Sequence, residues 1–135
     1  MPSNHYLLDT HFLIWFQENN PKIPEVVMET IQNNENTIYF SQISLFEIAI
    51  KQILGKLIHF YITVEDISTQ ALKDVFTFIP LENPAIFNYG SICLLNEHRD
   101  LFDRLIISTV IQKEATLLSA DEKFKFYPDL LKLLW

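Results

Sequence analysis

Residues 6–17 have the sequence YLLDTHFLIWFQ. The apolar run Tyr6–Leu8 is a short strand candidate that ends at Asp9, and the apolar stretch from His11 to Gln17 predicts a helix. In parallel α/β sheets, ligands bind beyond the carboxyl ends of the strands. A strand, an acid and a helix in this order therefore place Asp9 at the edge of a sheet where a binding site is expected.

The same alternation of strand-type and helix-type segments continues to the end of the chain. Further strands are predicted at residues 37–41, 75–80, 116–120 and 132–135. Helices are predicted to begin near Pro24, Ser44, Thr63, Asn83 and Leu101. The helix that starts at Ser44 is predicted to end at Gly55, and the helix that starts at Asn83 is predicted to end near Leu95. This alternation indicates a parallel sheet covered by helices on both faces, in a single domain of residues 1–135.

Composition excludes several classes of protein. The 135 residues are 49% apolar, which suits one domain with one core. No apolar run approaches the roughly 20 residues of a membrane span, and the N-terminus lacks the pattern of a signal peptide. The single cysteine, Cys93, forms no internal disulfide and is predicted to be a small buried apolar residue, so we expect a cytoplasmic protein.

The net charge of −7 limits how the chain could bind nucleic acid. Nucleic-acid binders usually carry a basic surface, so this charge argues against a broad electrostatic contact with DNA or RNA. It is compatible with an enzyme whose acids hold a metal ion, and with a protein that pairs with a basic partner.

Four carboxylates stand out by position: Asp9, Glu47, Asp103 and Asp121. Asp9 and Asp121 follow predicted strands, whereas Glu47 and Asp103 lie near the starts of helices. Acids at the ends of buried strands are costly unless they are paired or bound to a cation. The set therefore predicts a divalent metal ion and phosphate chemistry.

Structural roles also fit three of these acids. Asp9 and Asp121 are placed to cap the helices that follow them. Glu47 fits a capping box with Ser44, and it also fits an ion pair with Lys51 four residues later. The residues alone leave these alternatives open.

The start of the helix near residue 101 has the same ambiguity. Asp100 fits the capping position, and Asp103 fits the first turn, where a carboxylate favours the helix dipole. Arg104 is placed either to contact a substrate phosphate or to form a solvated ion pair, and we favour the ion pair.

Three blocks of sequence together resemble the PIN-domain family, specifically VapC-type toxins. Residues 6–15, YLLDTHFLIW, are similar to the family's LLDTHxLLW. Residues 41–57, SQISLFEIAIKQILGKL, are similar to SxxSxWEIAIK…GKL, with Phe46 in place of Trp. Residues 98–121, which begin HRDLFDRLI and end LLSAD, are similar to HxDPFDRLL…LxTAD, with Leu101 in place of Pro.

This resemblance implies a fold, an activity and partners. The fold would be a PIN-like three-layer α/β/α arrangement with a central parallel sheet of about five strands. The activity would be that of a metal-dependent endoribonuclease toxin, in which a water activated by Mg²⁺ or Mn²⁺ hydrolyses RNA. The partners would be an RNA substrate, a cognate antitoxin and a second copy of the chain, with no membrane.

The resemblance also implies roles for individual residues. The metal ligands and catalytic acids would be Asp9, Glu47, Asp103 and Asp121. The auxiliary residues would be Asp100 as a further acid, Thr10 and Ser119 as hydroxyls that support the site, and Arg104.

Two alternatives to a nuclease remain. One is a non-catalytic PIN-like protein that binds RNA or another partner, although the presence of all four acids argues against lost activity. The other is a receiver-type signalling domain that binds Mg²⁺. A receiver would need paired acids after the first strand, where Asp9 stands alone before Thr10 and His11.

Overall fold

A parallel sheet forms the centre of the protein in the computed structural model, which describes residues 4–92 and 100–135. The five strands run in the order β3-β2-β1-β4-β5, and every neighbouring pair is parallel. They are β1 His5–Leu8, β2 Thr37–Ser41, β3 Thr77–Ile79, β4 Thr116–Leu118 and β5 Leu133–Leu134. The predicted three-layer α/β fold with about five parallel strands is confirmed.

Six α-helices connect and cover the strands in the described ranges. They are α1 Thr10–Gln17, α2 Glu25–Gln32, α3 Gln42–Ile53, α4 Val64–Lys73, α5 Asn83–Phe87 and α6 Leu101–Lys113. Short 3-10 turns follow at Tyr89–Ser91 and Glu122–Phe126. None of the helices in this part of the chain has the length and apolar character needed to cross a membrane.

The central strand β1 explains why both faces of the sheet need helices. Leu7 and Leu8 are fully buried, in two different apolar clusters. Successive side chains of a strand point to opposite faces, so one cluster lies on each side of the sheet. Phe12 and Phe40 belong to the cluster of Leu8, and Ile107 belongs to the cluster of Leu7. A strand buried on both faces has a continuous apolar sequence, as residues 6–8 do.

Two predicted helix boundaries are wrong. Helix α3 begins at Gln42, and Ser41 rather than Ser44 caps it, with the Ser41 hydroxyl accepting a bond of 3.0 Å from the Ile43 amide. The cause is that β2 runs into α3 without a loop, so Ser44 lies buried inside the helix. Helix α5 ends at Phe87 instead of continuing as predicted.

The predicted end of α3 at Gly55 is confirmed. Gly55 has φ of +68°, in the left-handed region that glycine adopts without strain. Its amide donates to the Gln52 carbonyl at 3.1 Å, and the Lys56 amide donates to the Lys51 carbonyl at 2.9 Å, which closes the last turn. Cys93, the predicted helix end near Leu95, and residues 98 and 99 of the third sequence block lie outside the described residues.

The order of the strands positions the site. After β1, the chain adds β2 and β3 on one side of this strand and later adds β4 and β5 on the other side. The crevice between the carboxyl ends of β1 and β4 is therefore the topological switch point, where open α/β sheets bind ligands. A receiver-type domain has the order 2-1-3-4-5, so this sheet contradicts that alternative.

Candidate active site

Asp9 lies at the switch point and is 5% exposed. Its amide continues the sheet by donating to the Leu118 carbonyl at 3.2 Å, which holds it beside the end of β4. Its Oδ1 accepts a bond of 2.7 Å from the Phe12 amide, so Asp9 is the N-cap of α1. Its Oδ2 accepts a hydrogen bond from the Ser119 hydroxyl. The predicted cap is present, and the same carboxylate lies where a ligand would bind.

The surroundings of Asp9 raise its pKa to about 6. Burial is the main cause, because removal from water disfavours the charged carboxylate. The bonds from Ser119 and the Phe12 amide, and the nearby His11, lower the pKa, whereas the carboxylate of Asp103 raises it further. The groups around Asp9 therefore compensate its charge only in part, as expected where a cation binds.

Ser119 joins Asp9 to Asp121. Its hydroxyl donates to Asp9 and accepts a bond of 3.0 Å from the Asp121 amide. Asp121 in turn caps the turn Glu122–Phe126, since its Oδ1 accepts a bond of 2.9 Å from the Lys123 amide. Asp9 and Asp121 line one cavity of about 240 Å³. The structure thus brings these two predicted acids to the same crevice.

Asp103 lies in the first turn of α6. Its amide donates to Oδ1 of Asp100 at 3.0 Å, so Asp100 is the N-cap that the sequence indicates. Asp103 is only partly buried, and its charge acts directly on Asp9. Asp100 is exposed and acts here as a cap.

Glu47 is buried, and its two carboxylate oxygens have different partners. Oε1 accepts a bond of 2.7 Å from the Thr10 hydroxyl, and Oε2 lies 2.6 Å from Nζ of Lys51. The ion pair with Lys51 is confirmed, and the capping box with Ser44 is wrong because Ser44 is no cap. Thr10 also lies 3.0 Å from the Ser44 hydroxyl, which fixes α1 against α3.

The donor atoms at this edge of the sheet fit a divalent ion in chemistry. Carboxylate oxygens are the ligands that Mg²⁺ and Mn²⁺ prefer. Within residues 4–92 and 100–135, no group of three or more His, Cys, Asp or Glu side chains is placed to hold a metal ion. Asp9 and Asp121 line the crevice and the charge of Asp103 acts on Asp9, while the Lys51 ammonium supplies the positive charge next to Glu47. Metal binding by the four acids stays a prediction.

The profile of the PIN domain matches residues 6–130. The chain belongs to the PIN domain family. The resemblance drawn from the three sequence blocks is therefore confirmed at the level of the family.

Solved structures with a similar fold come from VapBC complexes. A chain of VapBC2 from Rickettsia felis, bound to a DNA fragment from their promoter, is 25% identical with a TM-score of 0.66, over 97% of this chain and 98% of that one. VapBC-1 from nontypeable Haemophilus influenzae is 22% identical with a TM-score of 0.67, over 96% of both chains. DNA-bound VapBC from Salmonella typhimurium is 16% identical with a TM-score of 0.67, over 99% and 98%. The last two likenesses concern the fold alone. No match is found among curated proteins.

The surroundings of Arg104 in this PIN domain differ from those that the sequence led us to expect. It is 3% exposed, so the expectation of a solvated side chain is wrong. Its Nη2 donates to the Ile92 carbonyl at 2.8 Å and its Nε to the Tyr89 hydroxyl at 3.2 Å. The guanidinium also lies 4.9 Å from the centre of the Tyr89 ring. Arg104 thus fastens the segment around Tyr89 to α6.

Sequence patterns did not single out the aromatic wall of the PIN-domain crevice. The cavity beside Asp9 is also lined by His11, Phe12, Trp15 and Trp135. Two signals in the sequence point to this wall. Trp15 lies three residues after Phe12, on the same face of α1, and Trp135 directly follows the edge strand β5.

Replacing Lys51 is expected to destabilise the metal-free protein. Lys51→Met keeps the apolar stem of the side chain but leaves the buried Glu47 carboxylate without its cation. We expect the free energy of unfolding to fall by about 2 kcal/mol, measured by chemical denaturation in a chelator. Lys56→Met, at an exposed lysine just beyond the same helix, serves as the control. Equal effects of the two variants would show that the pair contributes nothing.

Proposed function

We propose that this PIN domain is a metal-dependent endoribonuclease that acts as the toxin of a toxin–antitoxin pair. One observation carries the proposal. Asp9 is a buried carboxylate with a raised pKa at the switch point, within range of the charge of Asp103 and in the same cavity as Asp121. Such a charge is stabilised by a divalent ion, and a divalent ion among carboxylates is the usual means of phosphodiester hydrolysis.

The chain's own residues would hold the ion and prepare the site. Mg²⁺ or Mn²⁺, when bound, supplies an activated water for in-line attack and offsets the repulsion between the acids and the RNA phosphates. Asp9, Asp103, Asp121 and Glu47 would be its ligands. Thr10 donates a hydrogen bond to Oε1 of Glu47. Oε2, which pairs with Lys51, would therefore be the oxygen available to the ion.

Ser119 has a positioning role in this scheme. Because its hydroxyl bonds both Asp9 and the Asp121 amide, it sets the spacing between the ends of β1 and β4. Its bond to Oδ2 also fixes the orientation of the Asp9 carboxylate. Arg104, held by Tyr89 and Ile92, supports the α6 turn that carries Asp103.

The proposed partners follow from the relatives and from the charge. Similar folds occur in VapBC complexes and in the FitAB complex bound to IR36 DNA. We propose that this chain likewise pairs with an antitoxin, whose basic residues would suit a net charge of −7. A homodimer and a cytoplasmic location are part of the same proposal.

Asp103→Asn is expected to reduce RNA cleavage about 10³-fold, since losing one ligand charge removes several kcal/mol of transition-state stabilisation. The measurement is cleavage of a broad RNA pool, including structured tRNA and rRNA, with Mg²⁺ or Mn²⁺. Asp66→Asn is the matched control, because its amide is bonded to the N-cap Thr63 as the Asp103 amide is bonded to Asp100. We expect Asp66→Asn to retain full activity.

The proposal fails if the wild type cleaves nothing in that pool with either ion. The toxin role is tested with the same variants by growth on induced expression at matched soluble levels. Arrest by the wild type and Asp66→Asn, but not by Asp103→Asn, is the expected result. Equal arrest by all three would show that the carboxylate chemistry is not the cause.

A non-catalytic RNA-binding protein is the second candidate. The observation in its favour is that Glu47 is already neutralised by Lys51, with no group of three metal-ligating side chains assembled in the described part of the chain. This candidate predicts RNA binding that a chelator leaves unchanged, together with no cleavage.

A further inference from the structure

The cavity next to Asp9 has two unlike walls. It has a volume of about 240 Å³. Its lining includes an acidic wall with Asp9 and Asp121 and an aromatic wall with Phe12, Trp15 and Trp135. The catalytic proposal uses only the acidic wall, so the aromatic wall needs a separate explanation.

The aromatic wall has a fixed geometry. The Trp135 ring meets Phe12 edge to face, with centroids 5.5 Å apart and planes at 89°. It also leans against Trp15, with centroids 5.6 Å apart and planes at 57°. Because Phe12 is fully buried in the core, these contacts hold Trp135 in one orientation. Yet Trp135 stays 37% exposed.

Core packing accounts for part of this cluster. Trp15 packs against the apolar core, and Nζ of Lys22 lies 5.7 Å above its ring. Packing does not explain why a partly exposed indole lines the same cavity as Asp9 and Asp121. An apolar surface of this kind, left open beside polar groups, is typical of a ligand site.

We propose that the cavity binds one unpaired nucleobase of the RNA, adjacent to the phosphate at the acids. This inference rests on the proposed ribonuclease function and adds to it a binding site for one base, built by the aromatic wall. Aromatic side chains bind nucleobases by stacking, and only an unpaired base can leave its own stack to reach such a wall.

The size and polarity of the cavity fit a single base. Its volume lies below the roughly 300–1,000 Å³ of sites for drug-sized ligands, so it suits one ring system. The exposed His11 lines the cavity close enough to Asp9 to lower the pKa of that carboxyl. His11 thus offers a polar atom to the edge of a base whose face lies on Trp135, while Asp9 and Asp121 remain ligands of the proposed ion.

The two tryptophans of the chain make the test direct. Both line this cavity, so the two indole N–H signals in a nitrogen–proton NMR spectrum report on it. The whole protein is titrated, with Mg²⁺ present, with each of the four nucleoside 5′-monophosphates and with ribose 5-phosphate. None of these probes contains a phosphodiester bond, so the readout does not depend on cleavage.

We expect at least one nucleotide to shift both indole signals in a saturable way, with ribose 5-phosphate binding at least ten-fold more weakly. Trp135→Leu should lower the affinity for that nucleotide about ten-fold, measured through the Trp15 signal. Tyr61→Leu, at an exposed aromatic residue away from the cavity, should leave the affinity unchanged.

Equal affinities for ribose 5-phosphate and all four nucleotides would overturn the proposal. This comparison uses the wild type, so it stands even if Trp135→Leu does not fold. Unchanged affinity in a folded Trp135→Leu would overturn it as well. Base-dependent shifts in a protein that cleaves no RNA would support base binding in the cavity and contradict the nuclease proposal. Cleavage without such shifts would contradict base binding and support the nuclease proposal.

Discussion

Asp9→Asn is expected to abolish RNA cleavage and, at the same time, to stabilise the metal-free protein at pH 8. Burial raises the pKa of Asp9 from 3.8 to about 6, so the folded state binds the proton more tightly than the unfolded state does. The stability that this proton provides is fully present below about pH 4 and is lost as the pH rises through 6. At pH 8 the charged carboxylate therefore costs about 3 kcal/mol.

Asparagine removes this charge and retains the main structural role of the side chain. Its amide oxygen can accept the bond from the Phe12 amide that Asp9 accepts at 2.7 Å, so the cap of α1 is preserved. The carboxylate is lost, and with it a ligand for the ion. Activity and stability consequently change in opposite directions, as is common where a site holds uncompensated charge.

The measurement is chemical denaturation of the wild type and Asp9→Asn in a chelator from pH 4 to pH 8. The difference in unfolding free energy should be near zero at pH 4 and should grow in favour of the variant up to about pH 7. Asp66→Asn, at an exposed acid, should follow the wild type throughout. A variant less stable than the wild type at pH 8 would mean that Asp9 contributes more as a hydrogen-bond acceptor than its charge costs.

The strand β1 and the position of Asp9 at its end could be predicted because their signals are local. Residues 6–8 are continuously apolar since β1 is buried on both faces, and Asp9 directly follows. The turn at Gly55 and the cap at Asp100 are likewise set by residues close in sequence. Predictions of this kind depend on a few neighbouring side chains, and they are confirmed.

The errors have causes that lie outside any local window. Ser41 and Ser44 are both good caps, and only the direct passage of β2 into α3 decides for Ser41. Arg104 follows a helix start where an exposed side chain is usual, but the distant segment at Tyr89 and Ile92 buries it. In both cases tertiary structure, and not the neighbouring sequence, decides which groups the side chain contacts.

The site itself depends on the order of the strands, which the sequence pattern does not contain. Alternating strands and helices fit several parallel topologies, and only the placement of β4 beside β1 brings Asp121 to Asp9. The same placement puts β5 next to β4, so Trp135 meets Phe12 and Trp15. The motif blocks indicated the acids through resemblance, and they include Phe12 and Trp15 of the aromatic wall but not Trp135.

A divalent ion is expected to stabilise the wild type strongly, and removing it is expected to abolish cleavage. An ion that binds only the folded state adds about 2.7 kcal/mol when its concentration is 100 times the dissociation constant. The gain should be larger at pH 8 than at pH 5, since a proton competes for Asp9 below a pKa of about 6. Thermal unfolding with Mg²⁺ or Mn²⁺, against a chelator at matched ionic strength, measures this gain.

The variants decide where the ion binds. Asp9→Asn and Asp103→Asn should lose most of the stabilisation, because each removes one of two carboxylate charges that act on each other near the switch point. Asp66→Asn should keep it. Lys51→Met should gain more from the ion than the wild type does, since Glu47 then has no competing ammonium within 2.6 Å. Equal stabilisation of Asp9→Asn and the wild type would place the ion away from the switch point and would remove the physical basis of the nuclease proposal.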